Sequence, residues 1–166
     1  MIVLGVDTGS VSLGYGVVLE EGNRLSALGY GAIRNKTSTP HPDRLLKIYR
    51  ELGALIAHYK PQAMAIEDVF VSRNARSALK LGQVRGAAIV AAMQEGLAVL
   101  EFSPSEVKSA VTGYGMADKA QMQMVIKMIL GLEAIPQPND AADALALAIC
   151  GLNRRRAARR APTKGA

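Results

Sequence analysis

Apolar and polar residues alternate in short runs over the first part of the chain, which predicts strands rather than helices. Ile2 to Val6 is a short apolar run that ends at an acid, a pattern typical of a buried central strand. Two longer segments follow it, and the residues Glu21-Gly22-Asn23 between them are typical of a turn. The pattern predicts an antiparallel meander of three strands at residues 2–6, 13–20 and 25–33.

The remainder of the chain combines helical periodicity with further short apolar runs. Between Asp43 and Tyr59 apolar residues recur at helical spacing, and Pro61 then ends the helix. Ser103 is placed to cap another helix, with Glu106 three residues later to complete a capping box. The predicted elements are helices at 43–59, 74–94, 118–130 and 140 to about 156, a helix that starts after residue 103, and strands at 62–66 and 97–102.

This order of elements predicts an α/β fold with a mixed five-stranded sheet flanked by helices. The 166 residues suit one domain, and a content of 49% apolar and 20% charged residues excludes wholesale disorder. The longest run of apolar residues and glycine, Gly86 to Met93, is too short to span a bilayer, so we expect no membrane partner. Cys150 is the only cysteine, which excludes an internal disulfide and favours a reducing cytoplasm.

The net charge of +6 is concentrated at the C-terminal end of the chain. After Gly151 there are six basic residues and no acid, which leaves 14 basic and 14 acidic residues in the preceding body. We therefore expect a folded domain over residues 1–152 and a basic, flexible tail over residues 153–166. Such a tail attracts any polyanion, and its simpler interpretation is a solubilising end.

Four acids carry the chemical interpretation of the sequence. Asp7 and Glu67 each follow a predicted buried strand, so their carboxylates meet at one edge of the sheet if those strands are neighbours. Asp140 and Asp143 are three residues apart, on one face of a helix whose neighbouring residues are alanine and leucine. An unpaired carboxylate in such an apolar setting is costly, so Asp143 in particular requires a partner.

Converging carboxylates repel one another, and divalent cations relieve that repulsion. Oxygen ligands without histidine or thiolate favour Mg²⁺ or Mn²⁺. We therefore predict two ions per active site, acting on a phosphodiester by in-line displacement, with four ligands: Asp7, Glu67, Asp140 and Asp143. The simpler alternatives are that Asp7 forms a turn before Gly9 and that Asp140 only stabilises the start of a helix.

A basic stripe without acids follows shortly after Glu67. Arg73, Arg76 and Lys80 are spaced three and four residues apart, which places them on one side of a helix start. We expect this stripe to contact phosphates that flank the cleaved one. Arg85 is the fourth basic residue of this acid-free segment. The alternative, a solvated helix face, is a serious competitor for Arg85 and a weaker one for the other three.

Two further features of this region suit a nucleic-acid partner or a second subunit. Phe70 lies in an apolar loop tip, where an exposed ring can stack on an opened base, although packing into the core is the ordinary alternative. Gly82 and Gly86, one turn apart, allow their helix to approach another backbone closely. The sequence leaves open whether that backbone is the sheet of the same chain or the same helix of a second subunit.

Four motifs stand in order over residues 1 to about 152: Asp7-Thr8-Gly9-Ser10, Ala65-Ile66-Glu67-Asp68-Val69-Phe70, Asn74 through Ala78-Leu79-Lys80-Leu81-Gly82-Gln83 with Arg85-Gly86, and Asp140-Ala141-Ala142-Asp143-Ala144-Leu145-Ala146. Together they resemble the RuvC family of bacterial Holliday junction resolvases. The resemblance implies a ribonuclease H-like fold, a homodimer and Mg²⁺-dependent paired nicking of four-way DNA junctions. It also implies work beside the RuvA–RuvB branch-migration complex in homologous recombination and DNA repair.

The resemblance also implies functional roles for the residues of this chain that match the motifs of the family. The resemblance assigns four metal-binding carboxylates, a junction-engaging aromatic and two active-site lysines: Asp7, Glu67, Asp140 and Asp143; Phe70; Lys108 and Lys119. Two positions depart from the family, Thr8 where proline is common and Asp68 where glutamine is common. We expect Asp68 to point away from Asp7, because adjacent residues of an extended chain face opposite sides.

Three alternatives compete with this interpretation. Another ribonuclease H-like nuclease, acting on RNA or on other branched DNA, requires the same acids, so only a comparison of substrates separates it. An ATP-binding protein of the actin-like class needs two such domains around the nucleotide, more than 166 residues supply. A junction-binding module without catalysis has no use for clustered negative charge.

Overall fold

The computed structural model describes residues 1–9, 11–68 and 75–160. The strands are β1 (Ile2–Thr8), β2 (Ser12–Glu21), β3 (Arg24–Arg34), β4 (Ala63–Glu67) and β5 (Ala98–Phe102). The helices are α1 (His41–Tyr59), α2 (Ala75–Gln94), α3 (Pro104–Thr112), α4 (Lys119–Leu130) and α5 (Asn139–Arg160). The predicted α/β fold with a mixed five-stranded sheet is confirmed. In the part of the chain that the structure describes, no helix has the length and hydropathy needed to cross a membrane.

The sheet has the strand order β3-β2-β1-β4-β5. The first three strands form the predicted antiparallel meander, whereas β4 runs parallel to both β1 and β5. The parallel pairing of β1 with β4 ends at Val6 opposite Ile66. Asp7 and Glu67 are the next residues on these two strands, so both lie at the same carboxyl edge of the sheet.

The alternation of side chains along the strands separates two apolar cores, one on each face of the sheet. Val3 packs with α3, α4 and α5, while Leu4 and Val6 pack with α1 and α2. In β4 the alanines share the α5 side, and Met64 and Ile66 share the α1 and α2 side. By the same alternation, Asp7 and Glu67 face α5.

Glycines in the strands allow α5 to lie directly on the sheet. A Cβ atom added to Gly5 would lie 1.9 Å from the carbonyl oxygen of Ala144, and one added to Gly14 would lie 2.1 Å from that of Asp140. Both distances are far below van der Waals contact, so no side chain fits between the strands and the helix. The contact is therefore between backbones, and it sets the height of the first turn of α5 above β1 and β2.

Capping interactions define the starts of two helices around the carboxyl edge. The predicted capping box at α3 is confirmed: the amide of Glu106 donates to Ser103 Oγ, and a Glu106 carboxylate oxygen accepts from the Ser103 amide at 2.7 Å. At α4, Asp118 and Gln121 form an equivalent box. These boxes hold the two helices that supply Lys108 and Lys119.

The prediction of a flexible tail from residue 153 is wrong for its first half. Helix α5 continues to Arg160, about four residues beyond its predicted end, because two of its arginines pair with acids of the folded body. Arg154 lies 3.1 Å from a Glu106 carboxylate oxygen, and Arg156 lies 2.6 Å from a carboxylate oxygen of the buried Glu20. Residues 161–166 lie outside the described part of the chain.

The backbone contact beneath α5 predicts a large effect of a single methyl group. We expect Gly5→Ala to lower the free energy of unfolding by about 3 kcal/mol or more, because the added carbon overlaps the Ala144 carbonyl. Urea unfolding followed by circular dichroism measures the change. The matched control is Gly53→Ala in α1, where nothing lies within 4 Å of the added carbon and helix propensity predicts a gain of about 0.5–1 kcal/mol. Equal stability of the two variants would contradict the contact.

Candidate active site

The first two acids of the site are placed by the ends of β1 and β4. Asp7 lies opposite Gly14 of β2 and one residue beyond the last pair between β1 and β4. Glu67 is the last residue of β4 and lies opposite Phe102 of β5. Both side chains are half-buried and face α5, as the strand alternation requires.

The second pair of acids comes from the first turn of α5. Every residue from 141 to 152 is buried except Asp143, which is half-buried, as is Asp140. The alanine-rich composition that surrounded Asp143 in the sequence is therefore a helix packed on the sheet, with one carboxylate facing a pocket. The first turn of α5 thus brings Asp140 and Asp143 to the edge of the sheet at which Asp7 and Glu67 lie.

A pocket of about 280 Å³ lies at this edge. Its polar lining consists of three carboxylates and two lysines, and its wall is apolar: Asp7, Glu67, Asp143, Lys108 and Lys119, with Pro104, Val107, Met122, Ala146 and Leu147. Asp140 does not line the pocket but is close enough to act on Asp7 electrostatically. The apolar wall, which the sequence interpretation missed, lowers the polarity around the carboxylates and so strengthens the charge interactions next to it.

Burial and mutual repulsion shape the protonation of the acids. Burial raises the pKa of Asp7 from its ordinary 3.8 to about 7, with further increases from Asp143, Glu67 and Asp140 and an opposing effect of Lys119. Burial likewise raises the pKa of Glu67, together with the charge of Asp143. A buried site that penalises its own negative charge in this way attracts cations.

The two predicted active-site lysines both lie at the pocket. Lys119, at the start of α4, places its Nζ 3.2 Å from Asp143 Oδ2 and forms an ion pair with it. Lys108, in α3, is half-buried in the lining. Their positions agree with the prediction, and their roles in chemistry stay predictions.

The donor chemistry of the site fits a hard divalent cation. The available donors are carboxylate oxygens, the ligands that Mg²⁺ and Mn²⁺ prefer, and they outnumber the lysines beside them. Over residues 1–9, 11–68 and 75–160, however, no three acidic, imidazole or thiol side chains already have the compact arrangement of a metal site. The two-ion interpretation stays a prediction.

The predicted DNA-contacting residues divide between described and undescribed parts of the chain. Arg76 and Lys80 are exposed on α2, one turn apart, as expected for a basic stripe. Neither lines the pocket. Phe70 and Arg73 lie outside the described residues.

Arg85 is a residue whose interactions the sequence interpretation missed. A solvated helix face was the serious alternative for it, but its side chain is only 18% exposed. It donates from Nε to the backbone carbonyl of Glu67 at 3.2 Å and also binds the carboxylate of Glu101. The available signal was its spacing, because Arg85 is five residues from Lys80 and so falls off the basic stripe.

Comparison with known proteins decides the family. The model of the family "Crossover junction endodeoxyribonuclease RuvC" matches residues 3–151. The chain belongs to the RuvC family. The RuvC of Heliobacterium modesticaldum is 49% identical over 150 residues, which cover 90% of this chain and 93% of that protein. The RuvC of Citrifermentans bemidjiense is 52% identical over 150 residues, covering 90% and 91%.

Solved structures of RuvC have the same fold. Thermus thermophilus RuvC superposes with a TM-score of 0.88 at 33% sequence identity, over 95% of this chain and 97% of that one. T. thermophilus RuvC in complex with a Holliday junction substrate gives a TM-score of 0.87 at 31% identity, over 95% and 96%. The ribonuclease H-like fold predicted from the sequence is confirmed.

The raised pKa of Asp7 predicts that this RuvC-family site destabilises its own fold. Between about pH 4 and pH 7 the folded state holds a proton that the unfolded state releases, so stability falls as the pH rises through this window. We expect Asp7→Asn to raise the free energy of unfolding, measured in EDTA, by up to about 4 kcal/mol above pH 7 and by nothing near pH 3.

The control for this prediction is Asp43→Asn, which removes an acid from the first turn of α1, far along the chain from the pocket. It should lower stability slightly, through the lost interaction with the helix dipole. A neutral or destabilising Asp7→Asn at pH 8 would contradict the assigned electrostatics.

Proposed function

We propose that this chain is a Mg²⁺-dependent endodeoxyribonuclease that resolves four-way DNA junctions by paired symmetric nicks. The observation that carries the proposal is the meeting of Asp7, Glu67 and Asp143 in one pocket, on a fold that matches RuvC bound to a Holliday junction over 95% of the chain. The family resemblance adds a role in homologous recombination and DNA repair, beside the RuvA–RuvB branch-migration complex.

The reaction is the hydrolysis of one phosphodiester bond in each of two strands. The oxygen of a water molecule forms a new bond to phosphorus, the bond to one ester oxygen breaks, and the leaving alcohol takes up a proton. A pair of Mg²⁺ ions, when bound, activates the water and stabilises the leaving oxygen. The residues that would hold the ions are Asp7, Glu67, Asp140 and Asp143.

The other residues of the pocket support this reaction from fixed positions. In this proposal the ammonium groups of Lys108 and Lys119, which line the pocket, stabilise negative charge that develops on the transferring phosphoryl group. The apolar side chains of Val107 on α3 and Met122 on α4 form part of the pocket wall beside these groups. The exposed Arg76 and Lys80 on α2 suit contacts to neighbouring phosphates.

A homodimer is the second part of the proposal, and α2 offers the surface for it. Three exposed apolar side chains, Leu79 (71% exposed), Val90 (57%) and Met93 (58%), share one stripe with Gly82 and Gly86. A Cβ atom at either glycine would meet nothing within 4 Å, so the stripe is open in the single chain. Two copies related by a two-fold axis would bury this stripe and present two active sites, as paired nicks require.

The proposed activity predicts metal-dependent cleavage that one side chain abolishes. Purified protein should nick a synthetic four-way junction at symmetric positions with Mg²⁺ or Mn²⁺ and not in EDTA, as measured on denaturing gels. Asp143→Asn should reduce cleavage at least 100-fold and leave junction binding within about threefold, because it removes a ligand rather than a phosphate contact. Asp43→Asn is the matched control and should cut at the wild-type rate.

Substrate choice separates the remaining alternative. Linear duplex, single-stranded DNA and an RNA–DNA hybrid should each be cut at least 10-fold more slowly than the junction. Faster cleavage of the hybrid would favour another ribonuclease H-like nuclease. Junction cleavage by Asp143→Asn at the wild-type rate would show that the Asp143 carboxylate is not required for the reaction.

The α2 stripe predicts the oligomeric state. Leu79→Glu should convert the protein from dimer to monomer in analytical ultracentrifugation, because it places an unpaired charge within the proposed interface. Met128→Glu on α4 is the control, since Met128 is equally exposed at 72% and lies outside the stripe. An unchanged dimer dissociation constant for Leu79→Glu would show that the dimer interface lies elsewhere on the surface.

A further inference from the structure

Arg85 connects helix α2 with the end of the strand that carries Glu67. Its Nε donates to the carbonyl oxygen of Glu67 at 3.2 Å, and its terminal nitrogen Nη2 binds a carboxylate oxygen of Glu101 on β5. The same terminal nitrogen lies 3.9 Å from an Asp68 carboxylate oxygen. One guanidinium group therefore lies close to three oxygen acceptors: the carbonyl at the end of β4, the carboxylate of the following residue Asp68, and the carboxylate of Glu101 on β5.

The position of these contacts along β4 gives them their importance. The pairing of β4 with β1 ends at Ile66, so Glu67 lies one residue beyond it. On the other side, the Asp68 amide still donates to the carbonyl of Phe102 at 2.8 Å. The peptide between Glu67 and Asp68 is thus held by β5 through its N–H and by Arg85 through its carbonyl.

The two side chains that flank this peptide go to opposite faces of the sheet. Glu67 lines the pocket on the α5 face. Asp68 is directed to the α2 face, where Arg85 lies, as the alternation of an extended chain predicts. The positive charge of Arg85 attracts the Asp68 carboxylate on the α2 face, so that only the Glu67 carboxylate faces the pocket.

We propose that Arg85 is a positioning residue for the hydrolysis: it fixes the Glu67–Asp68 peptide so that the Glu67 carboxylate enters the pocket while Asp68 stays outside. The inference rests on the proposed function. It also links α2, which carries the apolar stripe and the basic stripe, to a strand of the active site. A lysine cannot replace the arginine, because one ammonium group on a flexible stem cannot hold the carbonyl and the carboxylate together.

The test compares Arg85→Gln and Arg85→Lys with Arg156→Gln. Arg156 is the matched control because it also pairs with a carboxylate of the sheet, that of Glu20, at the opposite edge from the pocket. Single-turnover cleavage of a four-way junction is measured at saturating protein and saturating Mg²⁺, well below each variant's melting temperature. Both Arg85 variants should cut 10- to 100-fold more slowly, the usual cost of losing a group that orients a ligand.

Other measurements separate positioning from stability. Junction binding in EDTA should stay within about twofold of wild type in the Arg85 variants, because Arg85 faces strands β4 and β5 rather than solvent. Arg156→Gln should lower the melting temperature and leave the cleavage rate unchanged. In metal-free protein, hydrogen exchange at the Asp68 amide should accelerate at least 10-fold in Arg85→Gln, while amides in the middle of α5 keep their protection.

Each outcome has a defined meaning. Wild-type cleavage rates in the Arg85 variants, or unchanged exchange at Asp68, would reduce Arg85 to an ordinary ion pair and overturn the inference. Full rescue by Arg85→Lys would overturn it too, since charge alone would then suffice. Failure of the wild-type protein to cut junctions with Mg²⁺ would instead refute the proposed function.

Discussion

The contact between the backbone of α5 and the backbones of β1 and β2 is the constraint on which the site depends. Asp140 and Asp143 are more than 130 residues from Asp7 in sequence, and they reach it because Gly5 and Gly14 leave no side chain between the sheet and the helix. A larger residue at either position would lift the first turn of α5 away from the strand ends. The arrangement of the four acids therefore depends on the absence of a side chain at Gly5 and at Gly14.

The same contact brings carboxylates close together, and their burial and mutual repulsion destabilise the fold. Carboxylates from two strands and one helix share an apolar pocket, and burial with mutual repulsion raises the pKa of Asp7 to about 7. The positive charge of Lys119, which also pairs with Asp143, offsets part of this increase in the pKa of Asp7. Two apolar cores, one on each face of the sheet, stabilise the fold against the remaining cost. Val107 and Met122 of the core beneath α3 and α4 also line the pocket, so that core supplies both stability and part of the pocket wall.

The local sequence pattern predicted much of the secondary structure but not the ion pairs between residues that are distant in sequence. The strand ends at Asp7 and Glu67 followed from apolar runs, and the Ser103 capping box from three residues. The partners of Arg85 and Arg156 did not, because Glu101 and Glu20 are 16 and 136 residues away and no local period indicates such pairs. From sequence alone an arginine is taken to be solvent-exposed unless an acid that pairs with it can be identified. For this reason the sequence analysis predicted a flexible tail around Arg156 and missed the contacts of Arg85.

The late position of α5 has a consequence for how the protein is made. Residues 139–160 complete the pocket, so a nascent polypeptide holds only Asp7 and Glu67 of the acid set until residue 140 has been translated. A product of premature termination before residue 139 lacks both helix acids and the apolar helix that covers the sheet.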